Sequence, residues 1–139
     1  MFNKRKLFKA GTLQISTRFD FDLEIYNARV HVFHNATDEE VKEYIDEHFT
    51  DAVYTRPGGN SATAFIFEHA NSGEQYAIDF IMPLKRNNPE SHKTIAHEAS
   101  HVTWELTNSR GIKCGNDNQE NFAYILGYIV SVINEEVFG

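Results

Sequence analysis

An α+β fold is what this sequence predicts, on three observations. The first half alternates apolar and polar residues at strand spacing, with many β-branched and aromatic side chains. The last third repeats apolar residues at helical spacing, in two stretches separated by Gly111 to Asn116. Between these halves lie a capped short helix and a hairpin pattern, so strands and helices are segregated rather than strictly alternating. At 139 residues, with 41% hydrophobic content, 11 Phe and 6 Tyr, the chain has the size and apolar content for one core. The expectation is a single domain over 1–139: a mostly antiparallel sheet, made of N-terminal strands plus a hairpin, packed on two helices.

Lys4, Arg5, Lys6 and Lys9 crowd residues 1–10, which read as a basic, poorly ordered arm. Thr12 to Phe19 and Leu23 to Phe33 follow as half-buried strands, with Asp20-Phe21-Asp22 as the turn between them. Thr37-Asp38-Glu39-Glu40 is a capping box, in which the Thr hydroxyl takes one free amide and Glu40 reaches back. It opens a helix to about Phe49, with Val41, Tyr44, Ile45 and His48 or Phe49 inward. Arg56 to Asn60 is a loop by composition. Ala62 to Glu68 and Gln75 to Met82 form an antiparallel hairpin around Ala70-Asn71-Ser72-Gly73, and Pro83 ends its second strand. Helices are expected over residues 91–109, closed by Gly111, and over residues 117–137.

Charge and cysteine content exclude several classes. The 20 acids outnumber 13 bases for a net charge of −7, and four of those bases sit in the arm. So acidic a body repels phosphate backbones, which argues against a nucleic-acid partner. The single Cys114 excludes a disulfide framework and a cysteine-rich zinc module, and reads as an ordinary buried thiol. The most apolar stretch, Phe122 to Ile133, is too short to span a bilayer and is interrupted by Gly127 and Ser131. No membrane partner and no signal peptide are expected, and a cytoplasmic location fits.

The chemistry concentrates in His97-Glu98-Ala99-Ser100-His101, a HExxH pattern inside a helix. Positions four apart on a helix differ by about 40° in azimuth and about 6 Å in height, so both imidazoles can reach one ion. Neutral imidazole suits Zn2+, and a two-His pair leaves room for a third protein ligand and a water. Glu98, beside them, is placed as general base. Ile95, Ala99, Val102 and Leu106 form the apolar stripe of this helix. His97, His101 and Trp104 point elsewhere, as a cleft with an aromatic wall requires. Two surface histidines on an amphipathic helix would be the bland alternative.

The third ligand decides the class. Trp104 and Thr107 stand where a metzincin-type protease places Gly and a third His, so that pattern is absent. Glu120 shares a helix side with Ala123, Tyr124, Gly127 and Ser131, a small-residue strip that would let a neighbouring helix come close. Asp117, or no protein ligand at all, are the alternatives. Asp117 and Glu120 could instead be a helix cap and its partner.

His97-Glu98-x-x-His101, eighteen residues, then Glu120 resembles the gluzincin signature of zinc metallopeptidases. The stretch from His97 to Tyr128 is also similar to small HExxH proteins of bacteriophages and mobile elements. The resemblance implies a zincin-like minimal domain, with His97, His101 and Glu120 as zinc ligands and Glu98 as general base. Its implied activity is hydrolysis of a peptide bond, in a peptide or protein substrate, through zinc-activated water. It further implies a strand ahead of the motif helix, here the 62–82 hairpin, that pairs with extended substrate. Two positions depart from the pattern. Tyr124 replaces the Asp that many gluzincins place four residues after the glutamate, so Asp79, Asn116 or Asp117 would have to orient the imidazoles. Oxyanion stabilisation would fall to Tyr124 or Tyr128, or to His69 or His92. The competing reading is a catalytically silent, zinc-stabilised binding protein, or a phage-associated structural or anti-defence protein. Of the remaining histidines, His31 and His34 face opposite sides of a strand, and His48 belongs to a helix face.

Overall fold

The computed structural model describes residues 2–8, 15–49, 54–67, 74–113 and 115–139, with backbone alone for residues 2–8, 15, 16 and 67. It is a mixed α+β protein of two compact units, Met1–Pro83 and Leu84–Gly139. The first unit holds strands β1 (Phe2–Phe8), β2 (Ile15–Leu23), β3 (Ala28–His34), β4 (Ala62–Phe67) and β5 (Glu74–Phe80), with helix α1 (Asp38–His48) between β3 and β4. The second holds helices α2 (Pro89–Ser109) and α3 (Gln119–Phe138), which pack on each other.

The sheet order is β1-β2-β3-β5-β4. All pairings are antiparallel except β3–β5, which is parallel, so α1 and β4 together form the crossover between those strands. Two expectations are corrected. Residues 2–8 are an edge strand paired with β2, not an arm; charged residues, lysine especially, are common on edges because they discourage further pairing. Asp20-Phe21-Asp22 lies inside β2, and the chain reverses later through a one-turn 3-10 helix, Glu24–Tyr26. Asn27 takes the left-handed conformation (φ 49°) that ends this turn, a conformation Asn tolerates better than most residues. The expected strand start at Thr12 and the hairpin turn at residues 70–73 lie outside the described residues.

Register sorts the sheet into two unlike faces. One carries Phe19, Phe21, Val30, Val32, Tyr76, Ile78 and Phe80, all fully or nearly fully buried. The other places Asp20 opposite His31, Asp22 opposite Arg29, and Arg18 opposite Phe33, with Gln75, Ala77 and Asp79 alongside on β5. Helix α1 covers part of this second face: Val41, Tyr44 and Ile45 pack with Phe33, Ala36 and Ala77, and Phe49, Tyr54 and Phe65 pack around them. Arg18, Asp20, His31, Gln75 and Asp79 are buried polar groups on that face, a costly arrangement unless each is partnered.

The expected capping box is present. Thr37 Oγ1 accepts from the Glu40 N–H at 3.1 Å, and Glu40 Oε1 accepts from the Thr37 N–H at 2.9 Å. Thr37→Ala removes one half of this exchange and leaves an amide of the first turn without its partner. A stability loss of about 1 kcal/mol is expected, measured by urea unfolding.

Candidate metal centre

Asn88 caps α2 by accepting from the Glu90 N–H, and Pro89 supplies the preset first helical residue. At the other end Gly111 takes φ +70°, and the Ile112 N–H returns to the Thr107 carbonyl. Ile95, Ala99, Val102 and Leu106 are buried, as their spacing predicts. Thr103 and Thr107 are buried with them, their hydroxyls donating to the carbonyls of Ala99 and Thr103. His97, His101 and Trp104 lie on the exposed side.

The two Nε2 atoms are 3.1 Å apart, with the rings nearly perpendicular at 80°. Two zinc–nitrogen bonds of about 2.0–2.1 Å at a tetrahedral angle span roughly 3.3 Å, so this pair fits two positions of a zinc shell. Glu98 occupies the edge between the two sides of the helix. It is 6% exposed, and its Oε2 is 3.9 Å from His97 Nε2. Burial raises its pKa above the ordinary carboxylate value, while His97 and His101 pull it back. A carboxylate held this way is more basic than one in free solution.

The other proposed participants are less closely gathered. Glu120 is exposed in the first turn of α3, and among the described residues no three His, Cys, Asp or Glu side chains are grouped to hold a metal. Ala123, Tyr124, Gly127 and Ser131 form an exposed face. A methyl group added at Gly127 would meet no atom within 4 Å, so the strip is not a close helix contact. Helix α3 instead buries Ile125, Ile129, Val132 and Ile133, where branched side chains exclude more water than a small-residue strip can. Tyr124 is 72% exposed. Asp117 and Asn116 are exposed in the turn before α3, and Asn118 rather than Asp117 is the N-cap. His92 donates through Nε2 to the Arg86 carbonyl and packs on Phe138. Asp79 is engaged elsewhere, by Tyr54 and Arg56. Cys114 and His69 lie outside the described residues.

A second polar cluster, in the sheet unit, went unread in the sequence. His31 is 4% exposed; its Nε2 is 2.7 Å from Gln75 Oε1 and its Nδ1 is 2.9 Å from the Tyr44 hydroxyl. Against the Gln75 oxygen the ring carries its proton on Nε2, and Nδ1 accepts from Tyr44. Asp20 Oδ2 stands 3.7 Å from Nδ1, and Arg29 forms a two-pronged pair with Asp22 at 2.7 and 3.2 Å. Burial lowers the His31 pKa below 6.5, opposed by Gln75 and Asp20 and assisted by Arg29 and Arg18. Burial lowers that of His34 too. Above the unfolded value of about 6.5 both histidines are neutral, folded or unfolded, and their burial carries no protonation cost. Below it the unfolded chain takes up protons that the folded chain refuses, so stability falls as pH drops from about 6.5 through the lowered folded values. His31→Gln should flatten this slope in urea midpoints measured between pH 7 and pH 5.

No protein-family model matches the chain, and neither curated proteins nor solved structures yield a match.

Proposed function

We propose that this chain is a zinc-dependent metallopeptidase, a minimal gluzincin-like hydrolase. The observation that carries the reading is the exposed His97–His101 pair with its nitrogens 3.1 Å apart beside the buried Glu98. A surface pair of histidines needs no carboxylate at that position, whereas hydrolysis needs a base there. His97 and His101 would hold the ion, and Glu120, one helix later, is the third ligand of the proposal. A bound ion would supply polarisation of a scissile carbonyl and a lowered pKa for a neighbouring water. Glu98 accepts that water's proton and returns it to the leaving amine; its raised pKa suits both halves of the transfer. Trp104, 56% exposed and one turn beyond His101, offers an aromatic surface to a substrate side chain. Tyr124 is the proposed oxyanion donor.

A silent zinc-stabilised protein is the second reading, favoured by the exposure of Glu120 and Tyr124, with no three ligating side chains grouped among the described residues. Incubation with a mixed peptide library, read by mass spectrometry for new termini, separates the two. Cleavage that stops with chelator and returns with zinc supports the peptidase. An uncut library with zinc-loaded protein rejects it.

A further inference from the structure

His31 sits where helix α1 meets the sheet, and the proposed metal chemistry does not use it. Both ring nitrogens of this buried side chain are engaged, each with a different element. Nε2 is 2.7 Å from Gln75 Oε1 of β5, and Nδ1 is 2.9 Å from the Tyr44 hydroxyl of α1. Tyr44 is a central contact of α1 with the sheet: Phe33 meets its ring edge-on at 5.3 Å, and Arg18 lies over that ring at 4.3 Å. A second acceptor stands near the same nitrogen, with Asp20 Oδ2 of β2 at 3.7 Å from Nδ1.

The two neighbours of Nδ1 suit opposite protonation states. In the neutral ring with its proton on Nε2, Nδ1 is a lone pair, to which the Tyr44 hydroxyl can donate and a carboxylate cannot. In the charged ring Nδ1 carries a hydrogen, and the carboxylate is the better acceptor, because bonds between ionised groups are roughly twice as strong as neutral ones. Among the described residues, the other charged or titratable groups around the ring are Arg18 on β2, Arg29 on β3 and His48 on α1. Asp22 and Glu24 line the cavity beside it, and Asp79, further along β5, is bound by Arg56. We infer that His31 is a proton-operated latch on α1. One proton from solvent is taken up at Nδ1, while the Nε2–H stays on Gln75. The new Nδ1–H donates to Asp20, and the Tyr44 hydroxyl turns away with its own hydrogen. The last turn of α1 thereby loses its polar tie to the sheet. His48 and Phe49, at that end of the helix, line a cavity of about 630 Å³ together with His31, so loosening the turn widens the cavity. Burial opposes charging of His31, Asp20 favours it, and Arg29 and Arg18 oppose it, which places the change below pH 6.5.

Nuclear magnetic resonance of the full chain between pH 7 and pH 5 tests the latch. Imidazole nitrogen shifts report the His31 proton, and the Asp20 carboxyl carbon should shift with the same midpoint. Below that midpoint the ring contacts of Tyr44 with His31 and Phe33 should be lost. The α-carbons from Tyr44 to Phe49 should move toward coil values, while those of β3 and β5 keep strand values. His31→Gln should hold the turn helical on acidification, and His48→Gln, at an exposed position, should leave the release intact. Asp20→Asn should move the His31 midpoint downward, since the charged ring loses its acceptor. A His31 ring still neutral at pH 5, Tyr44 contacts that survive its protonation, or an unmoved midpoint in Asp20→Asn would each overturn the latch. Release abolished in His48→Gln would assign the effect to His48 and overturn it as well. The experiment reads neither zinc nor peptide cleavage.

Discussion

Glu98→Gln should lower the rate of peptide cleavage about 10³-fold, the middle of the range for a positioned general base. Glutamine matches glutamate in shape but takes no proton at neutral pH. The helix should be undisturbed, because the side chain keeps its place beside His97 and its burial. The prediction is specific to kcat: zinc content and KM should change little, since His97 and His101 are untouched. Single-turnover cleavage of a peptide found in the library screen measures it. Equal rates for Glu98→Gln and the native chain would remove Glu98 from the chemistry. Loss of zinc along with activity would make it a ligand instead.

The largest effect on stability is expected at Asp79. This carboxylate has no exposure, and it accepts from Arg56 Nε at 2.9 Å, Arg56 Nη2 at 3.0 Å and the Tyr54 hydroxyl at 2.9 Å. Arg56 also donates to the Ala36 carbonyl, so one guanidinium ties the loop before β4 to the end of β3 and the start of α1. Burial and the charge of Asp79 drive the Tyr54 pKa upward, keeping the hydroxyl protonated and donating. Asp79→Ala strips three donors of their acceptor and leaves the Arg56 charge without its partner. A loss of about 3–5 kcal/mol is expected, the scale for breaking a buried ion pair from one side. Replacing both partners, Asp79→Leu with Arg56→Met, should recover a large part of that loss, because no orphaned charge remains. Urea unfolding of the native chain and the two variants tests both statements. A double variant no better than Asp79→Ala would show that the site depends on its shape rather than on its charges.

What could be read from the sequence was local. The α1 capping box, the α2 stripe of Ile95, Ala99, Val102 and Leu106, and the Gly111 cap all depend on residues within a few positions of one another. The exposed placement of His97, His101 and Trp104 follows from the same periodicity. What escaped notice depended on pairing between distant strands. Asp20 and Asp22 looked like turn residues because their partners, His31 and Arg29, become neighbours only through the β2–β3 register. His31 looked like an isolated histidine because Gln75 reaches it only through the parallel β3–β5 pairing, across 44 positions of sequence. The period-2 alternation of Arg18, Asp20 and Asp22 with Phe19, Phe21 and Leu23 was itself a strand signal that outlasted the supposed turn. Strand β1 was masked by its lysines, since an edge strand pairs through its backbone and can keep a solvated composition. The small-residue strip on α3 misled for the opposite reason. Small residues permit a close contact but do not require one, and the larger Ile and Val residues on the other side determined what was buried.

The most direct test of the proposed metal centre is elemental analysis of zinc in the native chain beside His97→Ala, Glu98→Gln and Glu120→Ala. One zinc per chain is predicted in the native protein and in Glu98→Gln, none in His97→Ala, and weakened retention in Glu120→Ala. A native protein purified without chelator that holds no zinc and takes up none when zinc is added would contradict the account.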